Sequence, residues 1–128
     1  MVDSKRFQDW LDKAGKDLEA ARILKQHDSF NDTVAFHCQQ AIEKALKGFV
    51  LYKTSELAEG HSLVYLCKQA AAIDITFKTY LKDCAYVNQY YIETRYPADF
   101  PLEVSDEEAL ECLAIAERIY EHIDSTTQ

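Results

Sequence analysis

The chain of 128 residues contains only three glycines and two prolines. Tight turns between strands draw on both residue types, so their scarcity disfavours a strand-rich fold and favours helices with short connections. Long apolar runs are missing as well. None approaches the roughly 20 residues that cross a bilayer, so no membrane span is expected. The four cysteines, at 38, 67, 84 and 112, form no Cys-x-x-Cys pair. No histidine stands at a spacing that would complete a zinc site with them, and neither a metal nor another cofactor is expected. Positive charge is the last shortage: 14 Lys and Arg against 22 Asp and Glu leave a formal net charge of −8. Bulk coating of DNA is thereby excluded, since it needs clustered cations, although a local basic site is compatible with the balance. The opening Met-Val-Asp-Ser-Lys-Arg runs straight into an amphipathic pattern, without the apolar core of a secretion signal. The cysteines then read as reduced thiols in helix interiors, and a cytoplasmic location is expected.

What is present is the composition of one globular domain, spanning 1–128, with 48% apolar and 28% charged residues. Apolar residues at helical spacing predict a first helix over 5–26, capped by Asp3 or Ser4. A second, over 32–53, carries the longest stripe, Val34, Ala35, Cys38, Ile42, Ala45, Leu46, Phe49 and Val50, with Asn31 or Asp32 as its cap. Gly48 inside that helix costs about 1 kcal/mol against Ala, which points to a close helix crossing as compensation. Residues 54–61 form a loop and 62–72 a short helix. Asp74 caps a helix over 75–92 with Phe77, Leu81, Cys84, Ala85, Asn88, Tyr91 and Ile92 on its inner face. Pro97 and Pro101 rule out a regular helix over 93–104. Ser105 and Glu108 form a capping box for a last helix, whose inner face is Leu110, Leu113, Ala116, Ile119, Tyr120 and Ile123. The expectation is an all-α, up-and-down four-helix bundle with one additional short helix.

Several motifs in order along this chain resemble the HEPN domain family. Asp17-Leu18-Glu19-Ala20-Ala21 is similar to the family's Asp-Leu-x-x-Ala, and Gln39-Gln40-Ala41-Ile42-Glu43-Lys44-Ala45-Leu46-Lys47 to its Gln-Gln-Ala-x-Glu-Lys-x-Leu-Lys. His61-Ser62-Leu63 matches the entry to the short helix, and Arg95-Tyr96-Pro97 the landmark after a helix ending in aromatics. The resemblance implies a domain that is commonly a homodimer and is often encoded beside, or fused to, a minimal nucleotidyltransferase. It also implies that some relatives bind nucleotides or cleave RNA.

Members that act as RNases carry a His about four to six residues after the Arg. Here Arg95 is followed by Tyr, Pro, Ala, Asp, Phe, Pro, Leu and Glu, so the proton carrier that 2′-oxygen chemistry needs is missing at that place. The resulting expectation is a non-catalytic module that binds nucleotide or substrate for a minimal nucleotidyltransferase, through Arg95, Tyr96, Asn88, Gln40, Lys44 and Lys47. A divergent RNase toxin and a purely structural dimeric adaptor are the alternatives. Arg95 can hold a phosphate in a bidentate grip or clamp the end of the preceding helix. Asn88, on an apolar face, is either a core hydrogen-bond node or a site residue. Glu43 and Lys47 form an i,i+4 pair that reads as surface stabilisation, with a polar groove on that face of the second helix as the functional alternative. His37 reads as an ordinary helix histidine and His61 as a loop or cap residue. Tyr90, Tyr91, Tyr96 and Phe100 can stack a base or form a core or interface cluster, with Tyr91 pointing inward and the other three as interface candidates.

Overall fold

Apolar side chains every three or four residues build helix α1, Phe7–Gln26, which buries Leu11, Ala14, Leu18 and Ala21. The computed structural model describes residues 2–93, 97 and 103–128. The N-cap of α1 is Arg6, without a side-chain cap bond. Ser4 serves the helix differently from the expected cap. Its hydroxyl accepts from the Arg6 N–H at 3.0 Å and donates to Asp9 at 2.7 Å, and its carbonyl takes the Trp10 indole N–H at 2.9 Å. These bonds fasten the N-terminal arm to the first turn.

Helix α2, Asn31–Thr54, follows a turn in which Asp28 and Phe30 both adopt positive φ, and Phe30 rather than Asn31 or Asp32 takes the N-cap position. Asn31 is engaged in tertiary bonds instead. Its amide donates to the Val104 carbonyl at 3.2 Å and to Asp106 at 2.9 Å, while Lys25 donates to its Oδ1 at 3.0 Å. α2 is the central element and packs against α1 and all the later helices. The whole run from Ala45 to Leu51 is buried, and so are Gln39 and Glu43. At Gly48 α1 comes close: a Cβ there would lie 3.1 Å from Leu11 Cδ2 and 3.3 Å from Trp10 Cβ. The close crossing read from the sequence is present.

Helix α3, Leu63–Ile73, starts under Ser62, whose hydroxyl accepts from the Tyr65 N–H. Asp74 then caps a 3₁₀ helix, Ile75–Tyr80, which leads into α4, Leu81–Asn88, and α5, Tyr90–Glu93. The single helix predicted over 75–92 is thus divided. With a 3₁₀ start and a break at Gln89, no single helical period runs through the segment, and after Phe77 its buried residues, among those described, are Cys84, Val87 and Tyr90. Ala85 is exposed and Tyr91 only half-buried, which reverses the expected roles of Tyr90 and Tyr91. The Tyr90 hydroxyl donates to Glu108 at 2.7 Å, tying α5 to the last helix.

Helix α6, Asp106–Thr126, carries the full capping box between Ser105 and Glu108, with three acidic residues in its first turn facing the positive end of the helix dipole. Its inner face is Ala109, Cys112, Ile115, Ala116, Ile119 and Ile123. Leu110, assigned to that face by spacing, is instead 52% exposed. The described elements form the expected helical bundle with its extra short helix, and none of them is a strand. Among the described residues no helix is long and apolar enough to cross a membrane.

Candidate functional site

The α2 sequence places Gln39, Glu43 and Lys47 four residues apart, one above another on the face turned towards the loop before α3. Glu43 is only 4% exposed and Lys47 7%, so the pair read as a surface salt bridge is a buried one. Lys47 Nζ lies 3.3 Å from Glu43 Oε2, and Gln39 Nε2 donates to Glu43 Oε1 at 3.3 Å. His61 closes the group: its Nδ1 stands 3.1 Å from both Glu43 oxygens. An ionised carboxylate only accepts, so this nitrogen carries the proton. Gln39 Nε2 also donates to the His61 carbonyl at 3.3 Å, which fixes the loop backbone as well as the ring.

The His61 side chain remains 58% exposed, and Nε2 has no hydrogen-bond partner among the described residues. One face of the ring stacks on Tyr91 of α5, with centroids 5.0 Å apart and planes 15° from parallel. Two residues beyond His61, at the start of α3, the Leu63 N–H donates to Asn88 Oδ1 at 2.8 Å. Asn88 is therefore a hydrogen-bond node that caps a backbone donor near His61.

A second cluster lies between α1 and α2. Asp17 accepts from Lys44 at 2.6 Å and stands 3.0 Å from His37 Nδ1. Burial raises the Asp17 pKa, but the bonds from His37 and Lys44 outweigh it and hold the carboxyl below its usual range. Beside this cluster a cleft of about 500 Å³ opens along α1, lined by Trp10, Lys13, Lys16, Lys44 and the aspartates at 3, 9 and 12. The Trp10 ring also receives Lys47, at 5.6 Å from its centroid.

The six residues singled out from sequence therefore separate. Gln40 and Lys47 belong to the His61 group, Gln40 by donating to Gln39 Oε1 at 2.7 Å, while Asn88 bonds the Leu63 backbone beside it. Lys44 belongs to the Asp17 cluster. Arg95 and Tyr96 lie outside the described residues, as does Phe100. The sequence reading missed Gln39 and the pairing of Glu43 with His61. Gln39 had a usable signal, because it falls between Ala35 and Ile42 on the apolar stripe, where a buried amide needs partners. His61 had none, since nothing local announces which carboxylate a loop histidine will meet. No group of side chains suited to holding a metal ion occurs among the described residues.

Chemically, the Glu43 group presents an imidazole whose tautomer and angle are held by a buried carboxylate, itself balanced by Lys47. Such a ring offers Nε2 as an acceptor when neutral and as a charged donor when protonated.

Comparison with known proteins fits this architecture. The family model for the HEPN domain matches residues 7–125. TT1696 from Thermus thermophilus, known from a crystal structure, is 28% identical, with a TM-score of 0.78 over 95% of this chain and 98% of its own. ST0689, an archaeal HEPN homologue also known from a crystal structure, is 28% identical, with a TM-score of 0.76 over 98% and 100%. A search of curated proteins found no match. With its family motifs in order, its helices in the matching arrangement and the family model covering nearly its full length, this chain belongs to the HEPN domain family.

Proposed function

We propose that this HEPN domain is a non-catalytic, dimeric binding module that presents a nucleotide or nucleotide-bearing substrate to a minimal nucleotidyltransferase partner. The observation that carries the reading is the hydrogen-bonded group on α2. Gln40 and Lys47, two of the residues assigned to ligand binding, connect through it to an exposed, oriented His61, and a third, Asn88, holds the Leu63 N–H two residues further along. Arg95 and Tyr96 complete the assignment from the sequence side, with Lys44 contributing charge from the neighbouring cluster. The non-catalytic part rests on the eight residues after Arg95, none of which is histidine.

Calorimetric titration of the full chain with ATP and with GTP tests the binding part. Saturable heat with a dissociation constant in the micromolar to millimolar range is expected, weakened about tenfold or more in Arg95→Ala by loss of a charge-assisted phosphate contact. Absence of heat from wild type at millimolar nucleotide would sink the nucleotide reading.

A further inference from the structure

We propose that His61 is the residue that touches the anionic group of the ligand, with Glu43 as its positioning residue, and that binding is coupled to uptake of a proton by the imidazole. The inference rests on the binding reading above and adds a residue that neither the motif comparison nor the sequence assigned to the site.

Two observations converge on His61. First, its orientation is built from the interior: Nδ1 is held by both oxygens of Glu43, and the carbonyl of the same residue by Gln39. A loop histidine with only a packing role does not require a nearly buried carboxylate, which is costly to desolvate unless paired. Second, the remaining nitrogen is unused among the described residues while the side chain is more than half exposed.

Charge bookkeeping gives the coupling its direction. The groups facing His61 are Glu43 and, through that carboxylate, Lys47 from α2, with Tyr91 stacked on it from α5. Lys47 already balances Glu43, so a neutral imidazole leaves the group without net charge. An anion arriving at Nε2 favours the protonated ring, because only the imidazolium can donate at both nitrogens, to Glu43 and to the anion together. Phosphate is the anion that the binding reading supplies.

Proton uptake is read by repeating the ATP titration at pH 7 in two buffers of very different ionisation heat. Wild type should show a buffer-dependent enthalpy corresponding to a fraction of one proton taken up. His61→Asn, which can still donate to Glu43 but cannot ionise, should lose that dependence and bind about tenfold more weakly. Equal affinity and an unchanged buffer dependence in His61→Asn would overturn the inference while leaving nucleotide binding intact. If wild type shows no heat with ATP or GTP, the nucleotide reading fails on its own. The inference is then decided by titrating wild type with inorganic pyrophosphate and following the imidazole nitrogens by NMR. Saturable movement of the His61 nitrogens, with those of His27 and His122 unmoved, would support it. Static His61 signals would overturn it.

Discussion

Two clusters on α2 use the same three groups and come out differently. Lys44, Asp17 and His37 form one; Lys47, Glu43 and His61 form the other. In the first, the carboxylate comes from α1, and all three side chains are partly covered, from 14% exposed for Asp17 to 28% for His37. It is a strut between two helices, and its charges retain access to water. In the second, carboxylate and lysine both come from α2 with side chains only 5% and 9% exposed, counted without the backbone, while the histidine arrives from a loop and stays open. Depth separates the two roles. Partial cover makes an interhelical tie, whereas deep burial of the carboxylate turns one histidine into a fixed fixture at the surface.

The comparison breaks first at Glu43. Glu43→Ala strands Lys47 in the interior and should cost about 3–5 kcal/mol in urea unfolding, the range for breaking a buried pair. A loss under about 1 kcal/mol would mean that water reaches the pair and that the two clusters are alike.

Asp17→Asn should cost less, about 1 kcal/mol, because the pair is closer to solvent. Its pH dependence sharpens the contrast. The folded pKa of Asp17 lies below the usual value, so its stabilisation is complete above an unfolded pKa of about 3.9 and disappears as pH falls through the folded pKa. Wild type and Asp17→Asn should therefore differ at neutral pH and converge in acid, as followed by thermal melts at several pH values. A gap that persists at the acid end would rule out the carboxylate as its source.

The smallest effect belongs to His37→Asn. Lys44 still holds Asp17 at 2.6 Å, so the change should stay within about 0.5 kcal/mol in the same melts. A loss equal to that of Asp17→Asn would make the histidine, not the lysine, the principal member of the strut.

The sequence was most informative where a local rule has no competitor. Ser105 and Glu108 satisfy each other within one turn, so the start of α6 was legible, and the close approach at Gly48 followed from the cost of glycine in a helix. It was less informative where a distant group outbids the local one. Asn31 is a good cap by type, yet Lys25 takes its Oδ1, the atom a cap would use, while its amide goes to Val104 and Asp106. Glu43 and Lys47 satisfy the i,i+4 rule, which says nothing about whether another element will cover them. Tyr90 and Tyr91 exchange roles because the segment begins as a 3₁₀ helix and breaks at Gln89, so a single 3.6-residue period does not run through it. In the candidate site, residue types were legible on α2 and at Asn88, but the convergence on His61 arises only when the loop before α3 folds back against α2.

The four cysteines, one each on α2, α3, α4 and α6, are all free and buried. Burial pushes the Cys112 thiol up to about 12 and raises that of Cys38. A hydrogen bond with Cys67, together with burial, raises Cys84, and the same bond lowers Cys67. Thiolate is therefore scarce at three of the four, and Cys67 is the one disposed to react when exposed. Chemical labelling of these sulfurs thus depends on transient opening of the element that carries each one. The fold has in effect been supplied with four internal clocks, and their separate rates would time how its helices come apart.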